Sequence, residues 1–191
     1  MAHAPSRALA LRAPASRPAL ALALGAGLLL APLPLLAAGS SSSDVSAPKC
    51  ENGQVWDDKS EKCVDAQDSR LDDDSRYEAV RQYAYAGELD AALVALAAMS
   101  DQQDDRVLTY RGFIARKQGD AETANAFYQM ALRQNPDNIL ARSYMGQGYA
   151  EAGRMELAQA QLSEIRKRGG RNTWAEVSLR LAIGSGKGFS Y

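Results

Sequence analysis

The chain repeats itself with a period of about 34 residues, and this period is the feature that most limits how it can fold. Three glycines, Gly87, Gly119 and Gly153, lie 32 and 34 residues apart, and three more columns keep that spacing. These columns are Ala92, Ala124 and Ala158; Leu96, Tyr128 and Leu162; and Tyr83, Ala115 and Tyr149. In such arrays each unit buries its apolar face only against its neighbours. The sequence therefore predicts a stack of similar units.

Each unit has the pattern of two helices joined by a turn. In the second copy, the apolar residues of the second helix recur at steps of three and four, the period of an amphipathic helix. They are Ala124, Phe127, Tyr128, Ala131 and Leu132. Gly119 predicts the preceding turn, because glycine readily adopts the left-handed conformation that ends a helix. Asn135 and Pro136 predict the helix end, because proline disfavours helical geometry in the residue before it.

These columns resemble the tetratricopeptide repeat family over roughly residues 73–172. The second copy matches it at Leu108, Gly112, Gly119, Ala124, Phe127, Tyr128, Ala131 and Pro136. The third copy matches it at Gly146, Tyr149, Gly153, Ala158, Leu162 and Ile165. The first copy departs from it, with Val80 where a small residue is usual. The resemblance implies an all-α right-handed superhelix, with repeats at 73–104, 105–138 and 139–172 and a capping helix at 173–183.

The resemblance also implies a non-catalytic scaffold that binds a peptide or protein segment in a concave groove lined by the first helix of each hairpin. By position, the groove residues are Tyr77, Arg81, Tyr85, Arg106, Thr109, Phe113, Arg116, Lys117, Ser143, Gln147 and Glu151. The cations Arg106, Arg116 and Lys117 form a basic spot, so an acidic partner is among those expected. The family's carboxylate clamp is not matched, since Tyr110 stands where it requires asparagine. Replacing Phe113 and Arg116 by alanine is then expected to weaken capture with almost no change in melting temperature.

The first 39 residues have the order of a secretory signal peptide. They carry three arginines and no acid, then an apolar run at 19–30, then small residues ending at Gly39. A periplasmic or secreted protein is therefore predicted, without a membrane span after cleavage. The alternative is a retained membrane anchor, because the apolar stretch is just long enough to span a bilayer.

The remaining composition disfavours nucleic-acid binding and most catalytic chemistry. Without residues 1–39 the chain has 19 basic and 23 acidic residues, a net charge of −4, whereas nucleic-acid binding needs clustered basic charge. The only histidine, His3, lies in the discarded segment, and the two cysteines are expected to pair in an oxidising compartment. No metal site, cofactor or enzyme activity is therefore predicted. An enzyme would have to use carboxylates alone.

Residues 40–72 are polar and read as a linker interrupted by one disulfide ring between Cys50 and Cys63. This ring resembles a fragment of a peritrophin-type chitin-binding module, although such modules have more cysteines. Trp56 is expected to pack over the disulfide. The alternative function is a module that associates with cell-wall polymer or polysaccharide through the ring and Trp56.

The C-terminal end of the chain carries a basic cluster and a glycine-rich stretch. The cluster, Arg166, Lys167, Arg168 and Arg171, suits a helix C-terminus, with an anionic partner as the alternative. Residues 184–191 are predicted to be a flexible tail. The sequence leaves open whether the protein self-associates.

Overall fold

A computed structural model describes residues 49–189 of the chain. The chain divides into two units, Met1–Ser43 and Asp44–Tyr191, and the described residues belong to the second. The predicted signal peptide at 1–39 and residues 190 and 191 of the predicted tail lie outside the described residues. Between residues 49 and 189, no helix combines the length and the apolar character needed to cross a membrane.

The described residues form one small β-hairpin followed by seven α-helices. The elements are β1 Val55–Asp57, β2 Lys62–Val64, α1 Asp73–Ala86, α2 Leu89–Ala98, α3 Asp105–Lys117, α4 Ala121–Gln134, α5 Ile139–Glu151, α6 Met155–Lys167 and α7 Trp174–Ser185. Consecutive helices pack as three hairpins, α1 with α2, α3 with α4, and α5 with α6, while α7 packs against α5 and α6. The predicted all-α fold of stacked helical hairpins is confirmed.

The three repeated glycines occupy equivalent bends. Gly87, Gly119 and Gly153 have φ values of 79°, 89° and 72°, the left-handed conformation that glycine adopts without steric cost. After each glycine, the next residue donates its N–H to the carbonyl five residues earlier, which is the Schellman pattern. These bonds run from Glu88 to Tyr83, Asp120 to Ala115 and Arg154 to Tyr149, at 2.9, 2.9 and 2.8 Å. The column of residues 83, 115 and 149 therefore supplies the carbonyl that closes each bend.

Small residues allow the two helices of a hairpin to lie close together. The repeated alanines Ala92, Ala124 and Ala158 are all buried. A Cβ atom at Gly112 in α3 would lie 2.6 Å from Cε1 of Tyr128 in α4, so only glycine fits beneath that ring. The small and large columns of the sequence thus correspond to complementary surfaces within each hairpin.

Residues 50–71 pack against the first hairpin, where the sequence predicted a linker. Val55 is fully buried in the same apolar cluster as Val80 and Leu96. The Tyr83 hydroxyl donates a hydrogen bond to the Gln54 carbonyl over 2.8 Å. Within residues 49–189 no repeat precedes the first hairpin, and this segment covers an apolar surface of that hairpin.

A disulfide and a buried arginine secure this N-terminal cover. Cys50 and Cys63 form the predicted bond, and Cys63 lies in β2, which pairs with β1 in antiparallel register. Arg76 of α1 donates from Nε to the Ala66 carbonyl over 2.9 Å and from Nη2 to the Asp68 carbonyl over 3.0 Å. These bonds tie the irregular chain before α1 to the helix itself.

The C-terminal segment also differs from its prediction as a flexible tail. Residues 184 and 185 belong to α7, which ends at Gly186 with a φ of 69°. The left-handed glycine turns the chain back, and the N–H groups of Gly188 and Phe189 bond to side chains of α5. The described part of this segment is therefore held on the repeat surface.

Candidate partner-binding groove

The first helices of the hairpins form a continuous row. Helix α1 packs on α3, α3 on α5, and α5 on α7. The row therefore has four members, because α7 occupies the position of a further first helix. The groove residues predicted from the sequence all lie on α1, α3 and α5.

The structure divides these predicted residues by accessibility. Those of α1 and the start of α3 are half-buried, and those of α5 are mostly buried. The half-buried residues are Tyr77, Arg81, Tyr85 and Arg106; the exposed ones are Lys117 and Glu151; the buried ones are Thr109, Phe113, Arg116, Ser143 and Gln147. We therefore distinguish the α1–α3 half of the groove from the α5–α7 half.

Five aromatic rings from α1, α3 and α5 form one cluster, which we call the aromatic cluster. Its members are Tyr77, Tyr85, Tyr110, Phe113 and Tyr144. The Tyr85 hydroxyl shares hydrogen bonds with the hydroxyls of Tyr110 over 2.6 Å and Tyr144 over 2.9 Å. The ring centroids of Phe113 and Tyr144 lie 4.9 Å apart. Sequence reasoning missed Tyr110 and Tyr144 as members of this cluster; both are buried and lie on first helices of the predicted hairpins.

Burial lowers the acidity of Tyr77 and Tyr110 in this cluster. Desolvation raises the pKa of Tyr77 to about 12. Desolvation also raises the pKa of Tyr110, and the neighbouring tyrosines Tyr144 and Tyr85 reinforce the effect. These phenols therefore stay protonated at neutral pH and act as neutral hydrogen-bonding groups.

Phe113 was predicted to line the groove but lies in the core. Its side chain has no exposed area and packs against the aromatic cluster and the surrounding apolar residues. Arg116 is also buried, and its Nη1 pairs with Glu151 Oε1 over 2.7 Å. Replacing Phe113 and Arg116 by alanine is therefore expected to lower the stability clearly, and not to leave it nearly unchanged as the sequence suggested, because both changes would remove packed or paired groups from the interior.

The predicted basic spot is compensated by carboxylates of the same chain. Arg106 Nη1 lies 2.7 Å from Asp74 Oδ1, and Arg106 Nη2 lies 3.1 Å from Asp104 Oδ2. The guanidinium of Arg106 also stacks over Tyr77, 5.1 Å from the ring centroid. Burial beside the Arg116 cation lowers the pKa of Lys117. This geometry adds no support for the predicted acidic partner.

Two of the three predicted groove residues of α5, Ser143 and Gln147, are covered by α7. The Ser143 hydroxyl shares a hydrogen bond with that of Ser178 in α7 over 3.1 Å. Gln147 Nε2 donates to both hydroxyls over 3.2 Å, and all three side chains are buried. Ser143 and Gln147 therefore serve the α5–α7 contact, whereas the sequence placed them in an accessible groove.

Thr109 lies in a polar junction between the second and third hairpins. It is almost fully buried, and its hydroxyl donates to the Asp105 carbonyl over 2.6 Å. The Asn138 amide donates to Thr109 Oγ1 over 3.0 Å and to Asp105 Oδ2 over 2.6 Å. The amide and hydroxyl thus fix the two hairpins relative to each other, and Thr109 does not reach a partner in the groove.

A cavity of about 520 Å³ lies between the second and third hairpins, within the size range of ligand pockets. On one side it is lined by Tyr149, whose hydroxyl donates to Asn125 Oδ1 over 3.0 Å and whose ring lies 5.2 Å from the guanidinium carbon of Arg154. These residues come from helix ends and turns and were not predicted as site residues. The sequence did contain one signal for this cavity: the third copy has the large Tyr149 at the repeat position where the second copy has Ala115.

The disulfide ring offers little space for a sugar. Trp56 is half-buried and lines a pocket of only about 100 Å³ between the ring and α1, together with Glu78 and Tyr83. Ligand pockets usually measure several hundred Å³. The ring's observed contacts instead serve the first hairpin, so no observation favours the polysaccharide alternative.

Three of the four residues of the basic cluster at the end of α6 are also paired within the chain. Arg166 Nε lies 2.6 Å from Glu176 Oε1, and Lys167 Nζ lies 2.8 Å from Glu164 Oε1. Arg168 pairs with the same Glu164. These contacts agree with a helix-terminal role for the cluster. Across residues 49–189, no group of three or more histidine, cysteine, aspartate or glutamate side chains is arranged to hold a metal ion.

Comparison with known proteins identifies the repeat type. The tetratricopeptide repeat family model matches residues 115–177, from the end of α3 to the start of α7. Neither the curated proteins nor the solved structures contain a match to this chain. The hairpin preceding the matched segment has the same glycine bend and the same buried alanine. Residues 115–177 are therefore similar to tetratricopeptide repeats.

Proposed function

We propose that this protein is a non-catalytic scaffold of the cell envelope that binds an extended segment of a partner protein in its concave groove. Tetratricopeptide repeats generally mediate protein–protein interaction, and the repeat type supports this role. The observation that carries the proposal is the half-buried aromatic and arginine surface of α1 and α3. There Tyr77 stacks with Arg106, and Tyr85 lies 6.0 Å from the guanidinium carbon of Arg81.

This surface has the composition of a binding hot spot. Tyrosine and arginine are over-represented among the residues that dominate binding energy. Arg81 Nη1 also pairs with Glu78 Oε2 over 2.8 Å, and Arg106 is paired with Asp74. Because these side chains already have defined orientations, a partner would order little of the surface on binding.

Location in the periplasm or outside the cell is part of the same proposal. The signal-like residues 1–39 support export, and the Cys50–Cys63 disulfide agrees with an oxidising compartment. N-terminal sequencing of the protein recovered from cell fractions tests this directly. A mature chain starting near Ser40 is expected, and a chain that retains residues 1–39 would show an uncleaved anchor.

Photo-crosslinking in living cells tests the groove. A benzoylphenylalanine at position 77 is expected to yield a discrete crosslinked partner. The matched control is the same probe at Phe127, a half-buried aromatic residue of α4 whose ring likewise lies near an arginine, with 6.0 Å from the ring centroid to the guanidinium carbon of Arg111. Equal crosslinking from both positions would contradict the groove as the binding surface.

A further inference from the structure

The chain after α7 folds back onto the first-helix row. Gly186 ends α7 in the left-handed conformation, and its N–H donates to the Ala182 carbonyl over 2.8 Å. The Lys187 N–H then donates to Ser185 Oγ over 3.2 Å, which closes a tight turn. Two consecutive local contacts therefore direct residues 187–189 towards α5.

The returning segment binds α5 through its backbone. The Gly188 N–H donates to Glu151 Oε1 over 3.0 Å, and the Phe189 N–H donates to Gln147 Oε1 over 2.8 Å. Glu151 and Gln147 are four residues apart, so their side chains lie on the same face of α5. Both positions belong to the groove predicted from the repeat pattern. The segment thus makes the kind of contact that an extended peptide ligand would make.

The contact selects a glycine at position 188. A Cβ atom there would overlap Glu151 Oε1 and Arg116 Nη1. These two atoms are paired with each other over 2.7 Å and the Arg116 side chain is buried, so a larger residue would have to push the exposed Glu151 carboxylate aside and weaken the ion pair. A larger residue would therefore separate the segment from its acceptors.

The surroundings of position 189 favour an apolar side chain. Phe189 is half-buried against the apolar cluster that includes Ala150, Leu179 and Ala182. This cluster is formed by residues of α5, α6 and α7. A glycine followed by an aromatic residue is therefore the short pattern that this part of the groove accommodates.

We propose that residues 187–189 act as a resident ligand of the α5–α7 half of the groove, and that a partner segment with glycine followed by an aromatic residue displaces them. This inference rests on the proposed binding of a partner segment in the groove. Two backbone hydrogen bonds and one half-buried ring hold the resident segment, so it is displaceable. Its occupancy lowers the apparent affinity of the groove for any segment in solution.

A peptide-binding measurement on the full chain tests the proposal. The probe is a fluorescent peptide with the sequence of residues 184–191, GSGKGFSY. The double variant Gly188→Leu, Phe189→Ala displaces the resident segment and is expected to bind the probe at least tenfold more tightly than the wild type. The control Lys187→Ala, at an exposed position, is expected to bind it as weakly as the wild type. The peptide GSGKLASY is expected to bind none of them.

Amide hydrogen exchange measured by NMR provides a second readout in the same proteins. The N–H groups of residues 188 and 189 are expected to be protected in the wild type and in Lys187→Ala, and to lose protection in the double variant. Unprotected amides in the wild type, or equal probe binding by wild type and double variant, would overturn the proposal. A wild-type dimer that the double variant converts to a monomer would also overturn it, because the segment would then occupy a second copy.

The result separates this inference from the proposed function. If the probe binds the double variant but position 77 crosslinks no cellular partner, the proposal that residues 187–189 occupy the groove is supported and the proposed scaffold function is contradicted. If position 77 crosslinks a partner but the probe does not bind the double variant, the resident ligand fails alone.

Discussion

The two halves of the groove have equivalent repeat positions but different surroundings. In the α1–α3 half, Tyr77 and Arg81 are half-buried, whereas Ser143 and Gln147 in the α5–α7 half are completely buried. The difference arises because α7 and the returning C-terminal segment cover α5, while residues 50–71 cover a different side of α1. The comparison shows that a repeat position defines where a side chain lies in its hairpin but not whether it can reach a partner.

The largest expected change in stability comes from replacing Phe113, at the centre of the aromatic cluster. Phe113→Ala is expected to lower the free energy of unfolding by about 3–5 kcal/mol, because a fully buried ring is replaced by a cavity. Tyr77→Ala, in the half-buried part of the same cluster, is expected to have a clearly smaller effect. Urea unfolding of both variants measures the difference. Equal effects would mean that the α1–α3 half is as tightly packed as the core.

The disulfide tests how far the α1–α3 half depends on its N-terminal cover. Replacing both Cys50 and Cys63 by serine is expected to lower the free energy of unfolding by about 3 kcal/mol, since the bond closes a ring with a sequence separation of 13. Hydrogen exchange should increase first in α1 and α2, where residues 50–71 pack. A uniform increase that includes α5 and α6 would argue that the cover stabilises the whole stack.

Alkaline pH probes the desolvation of the half-buried tyrosine. The pKa of Tyr77 is raised to about 12, whereas an unfolded tyrosine titrates near 10. The folded state therefore holds a proton that the unfolded state loses. This contribution to stability is complete below pH 10 and is lost as the pH rises towards 12. Tyr77→Phe should reduce the pH dependence of stability between about pH 10 and 12, measured by urea unfolding at several pH values. An unchanged dependence would show that Tyr77 is not desolvated.

Arg81 provides the smallest expected change in stability. Its ion pair with Glu78 is partly exposed, so Arg81→Ala is expected to lower the free energy of unfolding by no more than about 1 kcal/mol. Crosslinking from position 77 should nevertheless decrease, since Arg81 belongs to the proposed partner-binding surface. Unchanged crosslinking with unchanged stability would limit the partner surface to α3 and the Tyr77 ring.

Much of the fold was predictable because its signals are local. Each bend is made by a left-handed glycine and closed by a backbone hydrogen bond that spans five residues. The alanine of the repeat pattern lies on the helix that follows the bend, so all of these features belong to one hairpin. The repeat columns could therefore be recognised without any knowledge of distant contacts. The candidate site was less predictable, because the exposure of Ser143 depends on Ser178 and that of Phe113 depends on rings from three helices.

The two terminal segments also pack in ways that their composition did not predict. Residues 50–71 are polar in composition, yet Val55 and Arg76 connect them to the core of the first hairpin. The glycine-rich stretch after α7 has the composition of a flexible tail, yet Gly188 and Phe189 bond to α5. Composition averages over a segment, whereas a few well-placed contacts decide whether that segment packs.

The sequence by itself determined the period, the bends and the hairpins, because glycine conformation and helix periodicity act over a few residues. Only the tertiary structure decided which first-helix residues are accessible. Accessibility depends on elements far apart in the chain, namely the disulfide-bonded cover, α7 and the segment that folds back after it. These elements pack where they do because the first and last hairpins each have an apolar face with no neighbouring hairpin. Residues 50–71 bury the face at one end, and α7 buries the face at the other.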